Sequence, residues 1–236
     1  PLISVRGRIE ERDMVSWSEI ITENAMLAIE DVRLEEELIA NPALFLRKMA
    51  MYVKNAVGKL NRPPELYGYI LKGMTEPQFD DCVIIGHEGE TEFHTDKFGY
   101  ELCVATNSED GSIVDATYDA ETGILTLAEA LEQDARLDID FYKDGELPDM
   151  SYRVREMFGM AIALTWDERF SRNWLNLQPK IKDASFDVVN EANYIEKSSK
   201  RLVENKQAFH DMLRKFEQDI AYFENVGKTY YMGEVA

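Results

Sequence analysis

Apolar residues recur at every third or fourth position through residues 16–72, alternate in short runs through roughly 79–147, and return to helical spacing over 151–225. That change of period, out and back, predicts an α+β fold: a helical-bundle scaffold with an inserted small antiparallel β barrel or sandwich. In the first helical stretch Trp17, Ile20, Ile21, Asn24, Leu27, Ala28 and Val32 form a stripe. Ser16 opens it, with Glu19 at the capping-box spacing. Asn41-Pro42 starts the next helix, because asparagine accepts from free N–H groups and proline has no N–H to lose. That helix carries Leu44, Phe45, Met49, Tyr52, Val53, Ala56, Val57 and Leu60, and Arg62-Pro63-Pro64 ends it. A short helix from Glu65 to Lys72 follows, closed by Gly73.

After Pro77 the pattern turns β-like. Cys82 to Ile85, Phe98 to Thr106, Ile113 to Tyr118 and Ile124 to Leu127 read as strands, with turns at Asp110-Gly111 and Thr122-Gly123. Leu137, Ile139 and Phe141 alternate with Asp138, Asp140 and Tyr142, as in a half-buried strand. The second helical part begins after Pro148-Asp149 with Val154, Met157, Phe158, Ala161, Ile162, Thr165, Trp166 and Phe170, and Gln178-Pro179 is expected to break it. Ile195, Ser199, Leu202, Lys206, Phe209, Leu213, Phe216, Ile220 and Phe223 then step by fours and threes. This fits either one helix of about 57 Å or two helices broken near Glu204-Asn205. The expected organisation is an N-terminal extended arm (1–13), scaffold helices (14–76), the β insert (77–148), further scaffold helices (149–226) and a C-terminal arm (227–236).

Charge narrows the picture. Forty-five acidic residues against 26 basic ones leave a formal net charge of -19 over 236 residues, spread along the chain. Such a surface repels phosphate backbones and argues against nucleic-acid binding by charge attraction. Two cysteines, Cys82 and Cys103, are too few for a disulfide framework and are expected as buried small hydrophobes. No apolar run reaches the roughly 18 residues that span a bilayer. The opening residues are too mixed for a signal peptide, so the expected origin is cytoplasmic.

Candidate chemistry is sparse. On one strand Glu88, Glu90, Glu92, His94 and Asp96 would share a face, enough oxygens with one imidazole to hold a divalent cation for a metal-dependent hydrolase. The competing reading is a solvated edge strand, and no spacing there matches a defined metal motif. Thr106 to Thr117 only partly mimics a calcium loop, since position 12 is Thr117. Asp138, Asp140, Asp144 and Asp149 could be paired acids, but strand alternation and turn preference account for them. His210 lies next to the stripe residue Phe209 and reads as a solvated or hydrogen-bonded helical histidine. No phosphate-cradling glycine loop, nucleophile elbow or Cys-x-x-Cys pair occurs. The expectation is a chain with no catalytic residue, no cofactor and no metal. Arg6, Arg8 and Arg12 in one arm, with Tyr230 and Tyr231 in the other, are the candidate interaction residues.

Three segments carry a family resemblance. The first holds Ile29-Glu30-Asp31-Val32-Arg33-Leu34, Asn41-Pro42-Ala43-Leu44-Phe45 and Tyr52-Val53-Lys54-Asn55-Ala56-Val57. The second is Met157 to Trp166 with Trp174-Leu175, and the third is Lys182-Asp183-Ala184-Ser185-Phe186 leading to Asn193-Tyr194. Together they resemble the head–tail connector (adaptor, or neck) proteins of tailed bacteriophages, over about half the chain. Small members of that family are purely helical; this chain departs by carrying the insert. The resemblance implies a virion structural protein made in the bacterial host cytoplasm, forming a twelvefold ring. Such a ring would dock on the portal protein, bridge it to the tail or next neck protein, and pass DNA through an acidic lumen without binding it specifically. A different neck, tail-completion or baseplate component is the alternative reading. The family brings no catalytic residues.

Overall fold

Helices at both ends of the chain pack into one core, and the β insert stands on it. The computed structural model describes residues 14–29, 31–87, 89–181 and 188–225. The helices are α1 (Trp17–Glu19), a π-helical segment (Ile20–Ala25), α2 (Met26–Ile29), α3 (Val32–Ala40), α4 (Pro42–Lys59), α5 (Pro64–Gly73), α6 (Tyr152–Ile181) and α7 (Val188–Asn225). The strands are β1 (Val15–Ser16), β2 (Gln78–Ile85), β3 (Glu92–His94), β4 (Leu102–Asn107), β5 (Ile113–Val114), β6 (Ala116–Asp119), β7 (Ile124–Leu127), β8 (Arg136–Lys143) and β9 (Glu146–Leu147). The architecture is mixed α+β with antiparallel sheets, but the insert does not close into a barrel.

The first helical stretch shows how local geometry follows the apolar pattern. Trp17, Ile21, Ala25 and Ile29 are all buried and lie four residues apart. On an α-helix that spacing drifts about 40° per step; the wider π turn takes up the drift and holds the four on one face. The stripe expected from α-helical spacing is therefore wrong in part, and Leu27 is 74% exposed. The π segment presses against α6 where Gly159 stands. A Cβ there would lie 2.6 Å from the Asn24 Cβ and 2.7 Å from its carbonyl carbon, so the approach requires glycine.

Caps fall where the sequence places them. Ser16 Oγ accepts from the Glu19 N–H, while the Glu19 carboxylate pairs with Arg155 of α6 at 2.5 Å. Asn41 Oδ1 accepts from the Leu44 N–H at 2.9 Å, and its Nδ2 donates to Asp140 of β8 at 2.9 Å. One cap thus starts α4 and ties it to the insert. α6 continues past Pro179 to Ile181 rather than breaking at 178–179. A proline so near a helix end removes one hydrogen bond from a turn about to finish. α7 is one unbroken helix from Val188 to Asn225, with no interruption at 204–205.

In the insert, one sheet has strand order β2-β8-β4-β5 and a second has β3-β7-β6. The expected strand over Ile113 to Tyr118 divides into β5 and β6, which belong to different sheets. Residues alternate faces along β8. Leu137, Ile139 and Phe141 meet Ile84, Phe93, Leu125 and Leu127 in a small core between the two sheets. Tyr142, with Val104 of β4, points the other way into the helical core. The four-stranded sheet is thus the middle layer between the smaller sheet and α4. β9 turns back to pair with β1, placing Leu147 in the scaffold core and closing the insert at its base.

Candidate interaction surfaces

Among the described residues of the acidic run only Glu92 and His94 lie on a strand, both exposed on either side of buried Phe93. His87 and Glu90 belong to a turn, joined by the Glu90 N–H donating to the His87 carbonyl. Asp96 has left the strand at φ 54°. Glu88 lies outside the described residues. The single charged face expected for this run is therefore not formed, because the strand is three residues long. Among the described residues no group of three His, Cys, Asp or Glu is placed to hold a metal ion.

The other singled-out acids are held apart. Asp140 accepts from Asn41, and Asp144 joins β8 to α1 by accepting from the Ser18 N–H, the Ser18 hydroxyl and the Tyr142 hydroxyl. The Asp149 carbonyl accepts from the Tyr69 hydroxyl at 2.6 Å. Residues 106–117 form the β4–β5 hairpin and its exit, with Asp110 bracing its own turn by accepting from Ser112. Both cysteines are free and half-buried. Burial pushes the Cys103 thiol up to about 12 and raises Cys82 as well, which disfavours the thiolate form of each. Arg6, Arg8, Arg12, Tyr230 and Tyr231 lie outside the described residues, as does the 182–186 segment.

The scaffold carries a feature that sequence spacing does not reveal. Glu168 of α6 receives Lys59 of α4 at 2.8 Å and Lys206 of α7 at 2.9 Å. Burial opposes ionisation of Glu168, but the two ammonium groups outweigh it and its carboxyl sits below the ordinary range. Cavities of about 500 and 420 Å³ open on either side of Lys59. Arg169 lies over Tyr52 on the first side; Arg62, Lys206 and His210 border the second, above Leu164, Phe209 and Leu213. Taken together the two cavities are lined by four basic residues (Lys59, Arg62, Arg169 and Lys206) and one carboxylate, Glu168, and Lys59 borders both. Among the described residues Arg62 makes no ion pair. On a chain of net charge -19 this is a local inversion of sign. Its residues come from α4, the loop that follows it, α6 and α7, far apart in sequence; from the sequence Arg62 reads only as part of a helix end, Lys206 as a stripe position and His210 as a solvated helical histidine.

The insert presents the opposite character at its far end. The β4–β5 hairpin shows Ile113, 53% exposed, beside exposed Glu109, Asp110 and Asp115. β5 is also the outer strand of its sheet. Comparison with protein-family models, curated proteins and solved structures finds no match to this chain.

Proposed function

We propose that this chain is a head–tail connector protein of a tailed-phage virion, which assembles into a ring, docks on the portal and bridges it to the tail. The observation that carries the reading is where the family-like segments lie. Asn41 to Phe45 and Tyr52 to Val57 form the start and later turns of α4, and Met157 to Trp166 forms the buried stretch of α6. Their side chains Phe45, Val53, Met157, Phe158 and Ile162 share one core. These parts of the likeness therefore share one core, while the 182–186 segment lies outside the described residues. The insert is an addition mounted on that core.

Two further features support a role in assembly. Charged and apolar surfaces are segregated, with a cationic groove on the helices and an acidic, apolar-tipped hairpin on the insert. The overall negative charge suits a lumen that must let DNA slide, because it denies phosphates the counterions that a binding surface would replace. Function here rests on shape and association, and the named residues act by contact rather than turnover.

Electron microscopy of the purified protein, alone and mixed with portal-bearing capsids, tests the reading. A closed ring seated at the portal vertex is expected. A monomer at every concentration that ignores capsids, or a metal-dependent hydrolytic activity, would overturn it.

A further inference from the structure

We propose that neighbouring copies join head to tail, the β4–β5 hairpin of one copy seating in the α4–α6–α7 groove of the next. This rests on the assembly reading above and names the joint.

The groove asks for an acidic partner with an apolar point. Its rim holds Lys59, Arg62 and Lys206, and its floor is Leu164, Phe209 and Leu213. Gly58 widens it: a Cβ there would meet nothing within 4 Å. The hairpin has the matching composition, with Ile113 projecting beside Glu109, Asp110 and Asp115. Among the described residues none of those three carboxylates meets a cation, and Asp110 bonds only within its own turn.

The two surfaces cannot meet within one chain. The sheet is tied to the N-terminal end of α4 through Asn41–Asp140 and Arg47–Asp81. The groove lies at the opposite end of that helix, whose 18 residues span about 27 Å. Leu102 and Val104, in the first half of β4, pack on the scaffold, and the hairpin follows beyond them. A surface on one end that fits a different surface on the other gives a heterologous contact, which repeats into a ring when the rotation closes. A polyanion such as DNA could also answer to the cations, but the chain's net charge opposes it at long range.

Charge exchange in the full-length protein tests the joint by sedimentation velocity. Arg62→Glu reverses the groove, and Glu109→Lys with Asp115→Lys reverses the hairpin. Each variant alone should associate at least about tenfold more weakly than the parent, since like charges then face each other. An equimolar mixture should recover assembly, because the reversed hairpin fits the reversed groove and the native pair remains. Unchanged circular dichroism melting controls for folding. Gly58→Leu, which fills the groove from a surface helix position, should weaken association without charge reversal. Parental assembly that both charge variants retain would overturn the joint and leave the ring intact. Variants that each lose assembly without recovery in the mixture would overturn the hairpin-to-groove pairing. A parent that never associates would overturn joint and ring together. Low-salt binding of a labelled DNA duplex that Arg62→Glu abolishes would reassign the groove to a polyanion and overturn the proposal.

Discussion

Every helix contributes to the scaffold core, from Trp17 of α1 to Phe216 of α7, whereas the insert's own core is eight buried side chains between two small sheets. The insert compensates by leaning. Its middle sheet sends Tyr142 and Val104 into the scaffold, and β9 pairs with β1 beneath it. Dependence therefore runs mostly one way. The scaffold supplies a wall for the insert, while the insert covers only one side of α4. An element built like this can vary at its far end without disturbing its support.

Truncating the largest buried rings on each side is the strongest way to break that comparison. Phe158→Ala opens a cavity at the centre of the scaffold and should cost about 3–5 kcal/mol. It should collapse the helical circular dichroism and the insert's aromatic signal in one transition. Phe141→Ala removes a ring that touches both Tyr100 and Tyr118 between the sheets. The local cost should be similar, yet most of the helical signal should survive to the parental melting temperature. Loss of that signal together with the insert would show that the two regions fold as one unit. Deleting 78–143 behind a Gly/Ser linker sharpens the same point: helices should persist, with a lower melting temperature because Tyr142, Val104 and Phe79 no longer cover the core.

Within the scaffold, Gly159→Val should cost about 1–3 kcal/mol or more, since the added atoms meet the Asn24 backbone rather than a flexible tip. Thermal melting checks it. An unchanged melting temperature would mean that the π segment yields easily and is not held by this contact.

These positions also show what was legible in the sequence. The switch of period placed the insert between the right helices, and β8 could be read from Leu137, Ile139 and Phe141 against their polar neighbours. Asn41-Pro42 marked the start of α4. The π segment was not legible, because steps of four between Trp17, Ile21, Ala25 and Ile29 fit an α-helical stripe nearly as well, and only packing against Gly159 decides. Nor was the division of 113–118 between two sheets, since alternation says which side chains share a face but not which sheet they join. The cationic groove was hidden for another reason. Lys59, Glu168 and Lys206 are a site only after three helices pack, and the chain's acidic average pointed the other way.

The seam between the two regions can be weakened by one atom. The Tyr142 hydroxyl donates to Asp144 at 2.7 Å, and Asp144 in turn accepts from Ser18 at the start of α1. Burial chiefly, and this bond next, raise the tyrosine's pKa far above its ordinary value, so it remains a donor throughout the neutral range. Tyr142→Phe keeps the ring against Phe79 and removes only the bond. The expected loss is about 1 kcal/mol, because the remaining donors still satisfy Asp144. Urea unfolding followed separately by helical and aromatic signals should show both midpoints shift together. A shift confined to the insert would mean that Asp144 braces the β8–β9 turn alone and carries nothing across to α1.

Acid distinguishes the regions by sign, with the smallest expected effect. In the insert, Asp80 is held below the ordinary carboxylate range by the Lys97 ammonium at 2.6 Å, against some burial, and Asp119 is lowered by Thr122. A carboxyl whose folded pKa is depressed contributes stability above its unfolded value of about 3.9, and that contribution is lost as pH falls through the folded value. The scaffold holds one group of the opposite kind. Burial raises Asp167, although Arg201 and Asn205 partly offset it. The folded state then binds a proton more readily than the unfolded state, so this group favours folding at low pH and costs stability as pH rises through its raised value. Glu168 and Asp31 are lowered like the insert's acids, so the scaffold's response is mixed where the insert's is uniform. Between about pH 5 and pH 3 the insert's melting transition should therefore fall more steeply than the helical one. Asp80→Asn should flatten the insert's slope, and Asp167→Asn should steepen the helical slope by removing the group that gains from protonation. Melting followed at both signals across that pH range decides it. Parallel slopes in the parent, unmoved by either substitution, would show that these carboxyls are too well solvated to set the two regions apart.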